Sequence, residues 1–137
     1  MKTRSAFLML TLLVLLQAVL PGSAAAGRPG RWELLGERSV TDGLDHDLIP
    51  VTAAQGTFRA LKLRVEDHGV QFRDVKVHFA HGPAQDVAIR KVIPAGGESR
   101  VIDIRGRGDR VVRSVELWYD AQALAGRQAT VKLYGKN

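Results

Sequence analysis

The chain has 137 residues, a formal net charge of +6 and no cysteine. Its length suits one domain with a sizeable core. The lack of cysteine excludes disulfides, thiol catalysis, cysteine-ligated metals and a lipid anchor on cysteine. The excess of positive charge is mild, and it favours solubility or attraction to anionic surfaces. Without a recognisable nucleic-acid-binding motif, it predicts no nucleic-acid partner.

The first 26 residues have the three-part layout of a cleavable signal peptide. Two cations precede an uncharged, mainly apolar run at residues 6–20, and three alanines follow at residues 24–26. The run is shorter than the roughly 20 residues that cross a bilayer, so cleavage after Ala26, or after Ala25, is predicted in place of a stable membrane anchor. The mature protein is therefore predicted to be periplasmic or secreted, with a flexible N-terminus at residues 27–31.

Apolar and polar residues alternate with period 2 through most of the remaining chain. The alternation is cleanest at residues 61–66 and 75–79, where β-branched and aromatic residues are also concentrated. Turn signals such as Asp67-His68-Gly69 separate these runs at short intervals. The pattern predicts eight strands, at about residues 32–40, 45–51, 58–66, 70–80, 86–93, 99–105, 110–120 and 128–134.

Short alternating strands joined by tight turns predict a single all-β domain at residues 32–137. The expected architecture is an antiparallel β-sandwich of about eight strands, either jelly-roll-like or immunoglobulin-like. One strand changes its own parity, because Val70 and Phe72 share one face whereas Val75 and Val77 take the other. A one-residue β-bulge at residues 73–74 would restore the pattern. A strand that crosses between the two sheets is the alternative.

Several short stretches carry a family resemblance over nearly all of the predicted domain. They lie at residues 32–36, 45–47, 58–61, 72–77, 95–103, 117–119 and 131–135. In this order they resemble a group of small secreted bacterial proteins catalogued only as a domain of unknown function. The resemblance implies a periplasmic or secreted β-sandwich. It implies no activity and supplies no functional residues that could be assigned to this chain.

Signals for metal binding and catalysis are weak. Three aspartates and a histidine lie within residues 42–47, and His78 and His81 lie near a strand end. Neither group has the spacing of a calcium loop or of two ligands on one helix face. The serines of the predicted domain lie outside any nucleophile motif. The sequence therefore predicts no cofactor, no metal site and no catalytic residue.

Two features predict ligand binding. The first is a basic loop with Arg105, Arg107 and Arg110, whose guanidinium groups can pair with phosphate, sulfate or carboxylate. A basic turn that only protects a strand edge is the alternative. The second is an aromatic pair, because alternation directs Trp118 and Tyr134 outward. Their strands are consecutive and predicted to pair, so the two rings are expected on one outer face, where they could contact a sugar.

These features predict an exported, non-enzymatic binding or envelope-interaction module. The predicted ligand is a glycan or another anionic component of the cell envelope. A hydrolase that acts on envelope material is one alternative, and a structural protein with a protein partner is the other. Coverage of Trp118 by a loop would remove it from the site, and Trp32 is expected at the edge of the core.

Overall fold

The computed structural model describes residues 30–51, 56–108 and 110–137, so the predicted signal peptide lies outside the described residues. Within these ranges, no helix is long and apolar enough to cross a membrane. A short 3₁₀ turn is formed by Gln122–Leu124. The strands are β1 (Glu33–Val40), β2 (His46–Pro50), β3 (Thr57–Phe58), β4 (Ala60–Glu66), β5 (Val70–Phe79), β6 (Gln85–Val87), β7 (Val92–Ile93), β8 (Ile102–Asp103), β9 (Arg110–Tyr119) and β10 (Ala129–Lys136).

The strands form two antiparallel sheets, which confirms the predicted all-β sandwich. Sheet 1 has the strand order β1-β10-β4-β8. Sheet 2 has the order β2-β9-β5-β6, with β3 added to β9 and β7 added to β5. The inward side chains of both sheets form one apolar cluster. Because the chain has no disulfide to close it, the fold rests on this buried surface, at about 25 cal/mol per Å² of apolar area.

Within the described ranges there are ten strands where the sequence predicts about eight, because two predicted strands are interrupted. The predicted strand at residues 58–66 is divided at Arg59, where the chain leaves sheet 2 after β3 and enters sheet 1 as β4. The predicted strand at residues 86–93 is divided into β6 and β7, which both pair with β5. Buried residues change parity at the first break, between Phe58 and Leu61, but keep it through the second, so periodicity alone does not reveal the division into β6 and β7.

The predicted β-bulge is confirmed in β5. Phe72 pairs with Tyr119, and Asp74 pairs with Trp118, so Arg73 is the extra residue between two successive pairs. The residues after the bulge recover the inward parity of the strand, as its burial pattern shows. All of β5 stays in sheet 2, so the parity change comes from the bulge and not from a crossing between sheets.

A buried carboxylate joins the two sheets along the side where β1 and β2 are neighbours. Asp47 on β2 accepts hydrogen bonds from Arg38 Nε on β1 at 2.9 Å and from the Tyr119 hydroxyl on β9 at 3.1 Å. Burial of the Tyr119 ring, reinforced by the negative charge of Asp47, raises the pKa of that hydroxyl above its ordinary value. The hydroxyl therefore stays protonated and remains a donor.

A glutamine joins the sheets along the opposite side, where β6 and β8 are the edge strands. The side-chain amide of Gln85 donates to the Asp103 carbonyl at 2.9 Å. Its oxygen accepts from the Arg105 backbone N–H at 2.8 Å. These two bonds satisfy backbone groups of an edge strand that would otherwise need water or another partner. Gln85 and Asp103 also line a groove between β6 and β8.

Candidate ligand-binding site

The two predicted aromatic residues lie on opposite outer faces, so the prediction that they share one face is wrong. Trp118 belongs to β9 in sheet 2, whereas Tyr134 belongs to β10 in sheet 1. Each ring is half-buried on its own face. The connection between the two strands contains the 3₁₀ turn, and its Leu124 side chain is fully buried. The chain therefore crosses the end of the sandwich between β9 and β10. A hairpin would have placed both strands in one sheet.

Tyr134 instead lies near Trp32 on the outer face of sheet 1. The Lys62 Nζ atom is 4.5 Å from the Trp32 ring centroid and 6.0 Å from that of Tyr134. Lys136 Nζ is 5.7 Å from the Trp32 ring. These distances are within the range of cation–π attraction. Trp32, Lys62, Tyr134 and Lys136 are hereafter the aromatic-lysine patch.

Strand register explains why this patch forms. Lys62 on β4 lies directly opposite Tyr134 on β10, and Leu34 on β1 lies opposite Tyr134 on the other side. Directly opposite residues of an antiparallel pair project to the same face. Lys136 follows Tyr134 by two residues and so shares its face. From the sequence, Trp32 is expected at the core edge and neither lysine is predicted to bind a ligand, although alternation in residues 61–65 directs Lys62 outward.

Most charges on this face are paired, including that of Lys62 within the patch. Lys62 Nζ lies 3.1 Å from a Glu98 oxygen, and Lys132 Nζ lies 3.0 Å from a Glu66 oxygen. The Lys132 hydrogen bond holds the pKa of the Glu66 carboxyl below its ordinary value. Lys136 lies at the other end of β10, beside Trp32. The positive excess of the face is therefore greatest at the patch.

A groove of about 460 Å³ adjoins the patch, hereafter the first groove. Trp32 and Lys136 form part of its wall together with Arg59. Val101, 48% exposed, contributes an apolar surface, and Asp103 contributes a carboxylate. This mixture of an aromatic ring, apolar surface and charged groups is typical of sites that hold a polar organic ligand.

A second groove, of about 740 Å³, lies between the edge strands β6 and β8. Arg90, Arg100 and the predicted Arg105 line it, together with three aspartates. One of these, Asp86, lies 3.6 Å from Lys76, which offsets its charge. Guanidinium groups around a concave surface can bind carboxylate, sulfate or phosphate through paired hydrogen bonds.

The structure separates the three arginines of the predicted basic loop. Arg107 is exposed. The guanidinium of Arg110 donates to the carbonyls of Arg105 and His81, both at 2.9 Å, and packs 3.5 Å from the Phe79 ring. These contacts give Arg110 a role in holding the loop, since much of its hydrogen-bonding capacity is used within the chain. Arg105 lines the second groove.

A second polar cluster, not predicted from the sequence, lies on the outer face of sheet 2. Glu116 hydrogen-bonds His46, at 2.7 Å, and His78. The His46 hydrogen bond, followed by that of His78, lowers the pKa of the Glu116 carboxyl against the opposing effect of burial. Trp118 packs on His46 with ring centroids 4.9 Å apart. Strand alternation could have shown that these side chains point outward. Their contact with one another depends on the pairing of β2, β9 and β5, which alternation does not reveal.

The residues considered for metal binding do not converge. Asp47 turns into the sandwich, whereas His46 turns to the Glu116 cluster on the surface. Asp42 and Asp45 line a separate cavity of about 490 Å³. In the part of the chain that the structure describes, no group of three or more histidine and acidic side chains is arranged to hold a metal ion.

Comparison with known proteins gives a family and distant structural similarities. No curated protein matches the chain. A solved structure of Pseudomonas aeruginosa AlgX is similar with a TM-score of 0.49 and 14% sequence identity, over 79% of this chain and 27% of that one. A similarity of this size carries no functional assignment. The family described as Domain of unknown function (DUF2541) matches residues 7–135, so the chain belongs to that family.

Proposed function

We propose that the protein is an exported, non-enzymatic module that binds an anionic glycan of the cell envelope at the aromatic-lysine patch. The observation that carries the proposal is the Trp32 ring, which has Lys62 and Lys136 ammonium groups within 6 Å and an open groove beside it. Aromatic rings offer apolar area to the C–H face of a sugar. Lysine ammonium groups pair with its carboxylate, sulfate or phosphate substituents.

The charge distribution favours an anionic ligand over a neutral one. Lys62 shares its charge between Glu98 and the two rings, so Lys136 provides most of the attraction at the first groove. Asp103 is the carboxyl side chain on the same wall, and it can accept hydrogen bonds from sugar hydroxyls. The ligand expected from this set carries both anionic groups and hydroxyls.

The same wall supports binding without catalysis. Glycoside hydrolysis commonly uses two carboxyl groups about 5–10 Å apart on either side of the scissile bond. Among the described side chains that line the first groove, Asp103 alone carries a carboxyl group. The signal-peptide layout of residues 1–26 supports export to the compartment in which an envelope glycan is accessible.

Calorimetric titration of the mature protein against isolated envelope polymers, at about 0.1 M and about 1 M salt, tests the proposal. We expect Trp32→Ala to weaken binding by about 1–2 kcal/mol at both salt concentrations, because ring contacts rest on apolar burial. Lys136→Ala should weaken binding mainly at low salt, since the Debye length falls from ~10 Å to ~3 Å over this range.

Trp118→Ala is the matched control, because it removes a half-buried ring from the opposite face. Binding that depends on Trp118 and not on Trp32 would move the site to sheet 2. The proposal is rejected if no envelope polymer binds the wild-type protein at low salt. Circular dichroism of each variant distinguishes lost binding from lost folding.

A further inference from the structure

We infer that the ligand is a linear, polyanionic glycan several sugar units long, which runs from the aromatic-lysine patch across β8 into the second groove. The inference rests on the proposed function and extends it, because it specifies the form of the ligand and adds a second set of contacts. It makes Arg90, Arg100 and Arg105 a second subsite for anionic groups.

The two grooves meet at β8. Asp103 lines both of them. Val101 and Ile104 line the first groove, whereas Arg100 and Ile102 line the second. The separation between the grooves is therefore one two-residue strand at the edge of sheet 1, not a wall of packed elements. An extended ligand can occupy both grooves by passing over this strand.

The charges along this path suit a chain of repeating anionic units. Lys136 and Arg59 lie at the first groove. The three arginines lie at the second with Asp74 and Asp86, of which Asp86 is offset by Lys76, and Arg100 also donates to two backbone carbonyls. Asp103 lies between the two sets of cations. It can accept hydrogen bonds from sugar hydroxyls while the anionic groups of the ligand on either side contact the cations. A polyanion without hydroxyls would be repelled at Asp103 without that compensation.

The second subsite is held in place before any ligand binds. Gln85 bonds the backbone on both sides of β8's C-terminal end, at the Asp103 carbonyl and the Arg105 N–H. Arg110 donates to the Arg105 carbonyl from the other direction. Arg105 thus projects from a backbone fixed on both sides, so that binding has to order its side chain but not its backbone.

The sizes of the two grooves are compatible with a polymer. Volumes of about 460 and 740 Å³ each fall within the roughly 300–1,000 Å³ of ordinary small-molecule sites. A single sugar unit could fill part of one groove only. A glycan chain bound in one groove would reach the other at high effective concentration, which would raise its overall affinity.

A chain-length series tests this arrangement, with galacturonate oligomers of about two to eight units as the probe. We expect affinity at low salt to rise at least about tenfold from dimer to octamer, because the longer chain reaches the second groove. The double variant Arg100→Ala, Arg105→Ala should bind the dimer as the wild type does and lose this gain. The Arg105 backbone N–H that bonds Gln85 is retained in this variant.

The control variant is Arg113→Ala, Arg127→Ala, which removes two exposed arginines that line neither groove and should keep the length dependence. A dimer and an octamer of equal affinity would overturn the inference and leave the patch proposal standing. Length dependence that survives in the Arg100/Arg105 variant would also overturn it. Failure of every oligomer to bind would reject the inference, and equal binding of uncharged cello-oligosaccharides would reject both proposals.

Discussion

Arg105, which follows β8, and Arg110, the first residue of β9, have different surroundings. The Arg110 guanidinium bonds two carbonyls and stacks on Phe79, whereas Arg105 lines a groove and is fixed through its backbone. Both residues are arginines of one basic segment, so the sequence predicts a binding role for both. At the scale of single residues, the partners that a side chain already has decide whether it can bind a ligand.

Glu116 gives a pH-dependent prediction at the residue scale. Its folded-state pKa is lowered from the ordinary 4.5 by the hydrogen bonds of His46 and His78. A carboxyl with a lowered folded pKa stabilises the fold above its unfolded pKa, and that stabilisation is lost as the pH falls through the folded pKa. We therefore expect Glu116→Gln to lower the free energy of unfolding by about 0.5–1 kcal/mol near neutral pH and by much less at about pH 3.

Urea unfolding at a series of pH values measures this difference. Glu37→Gln, which changes an exposed glutamate on sheet 1, is the matched control and should shift the stability little at any pH. Stability curves for the wild type and Glu116→Gln that run parallel down to acid pH would show that the histidine contacts do not stabilise the carboxylate.

At the scale of elements, β1 and β5 each contain an irregularity of strand register. The bulge at Arg73 could be predicted because it shifts the apolar parity of its own strand. The irregularity of β1 between Leu34 and Gly36 could not be predicted. A Cβ atom on Gly36 would lie 2.3 Å from the Pro50 carbonyl oxygen of β2, so this position requires glycine because another strand passes close by.

The register of β5 can be tested with neighbouring substitutions. Val77 is fully buried, whereas the Lys76 side chain is 37% exposed on the opposite face. We expect Val77→Asp to destabilise the fold by about 3–5 kcal/mol, because a desolvated charge adds to the lost apolar contact. Lys76→Gln should destabilise it by less than about 1 kcal/mol. Urea midpoints compare them, and equal losses would contradict the face assignment.

At the scale of the molecule, a fold without disulfides is closed by polar contacts on both open sides of the sandwich. Asp47 links Arg38 to Tyr119 on one side, and Gln85 bonds the backbone of the β8 edge on the other. Each contact joins the two sheets, and each buried polar group involved has a partner. The two grooves proposed to bind the ligand lie on the same side of the sandwich as Gln85.

Export is a prediction about the whole chain, and it can be tested by N-terminal processing. Mass spectrometry of the exported protein should find Gly27, or Ala26, at the N-terminus, because small residues precede the cut. A precursor with Ala24→Arg and Ala26→Arg keeps the apolar run but should not be cleaved there. Recovery of the exported wild-type protein with Met1 at its N-terminus would contradict the predicted signal peptide.

Local pattern was sufficient to predict most of the strands, their inward faces and the β5 bulge. Leu61, Leu63 and Val65 alternate with polar residues, and all three are fully buried. A period-2 pattern carries this information because successive side chains of any strand point to opposite faces. The same pattern shows that Trp118 and Tyr134 point outward.

Which outward residues meet was decided only by the tertiary structure. Tyr134 lies beside Lys62 because β10 pairs with β4, and Trp118 lies beside His46 because β9 pairs with β2. The first pairing joins strands more than sixty residues apart, as does the second. Strand alternation is a local property, whereas the choice of partner depends on the packing of the whole core, which no single segment of sequence contains.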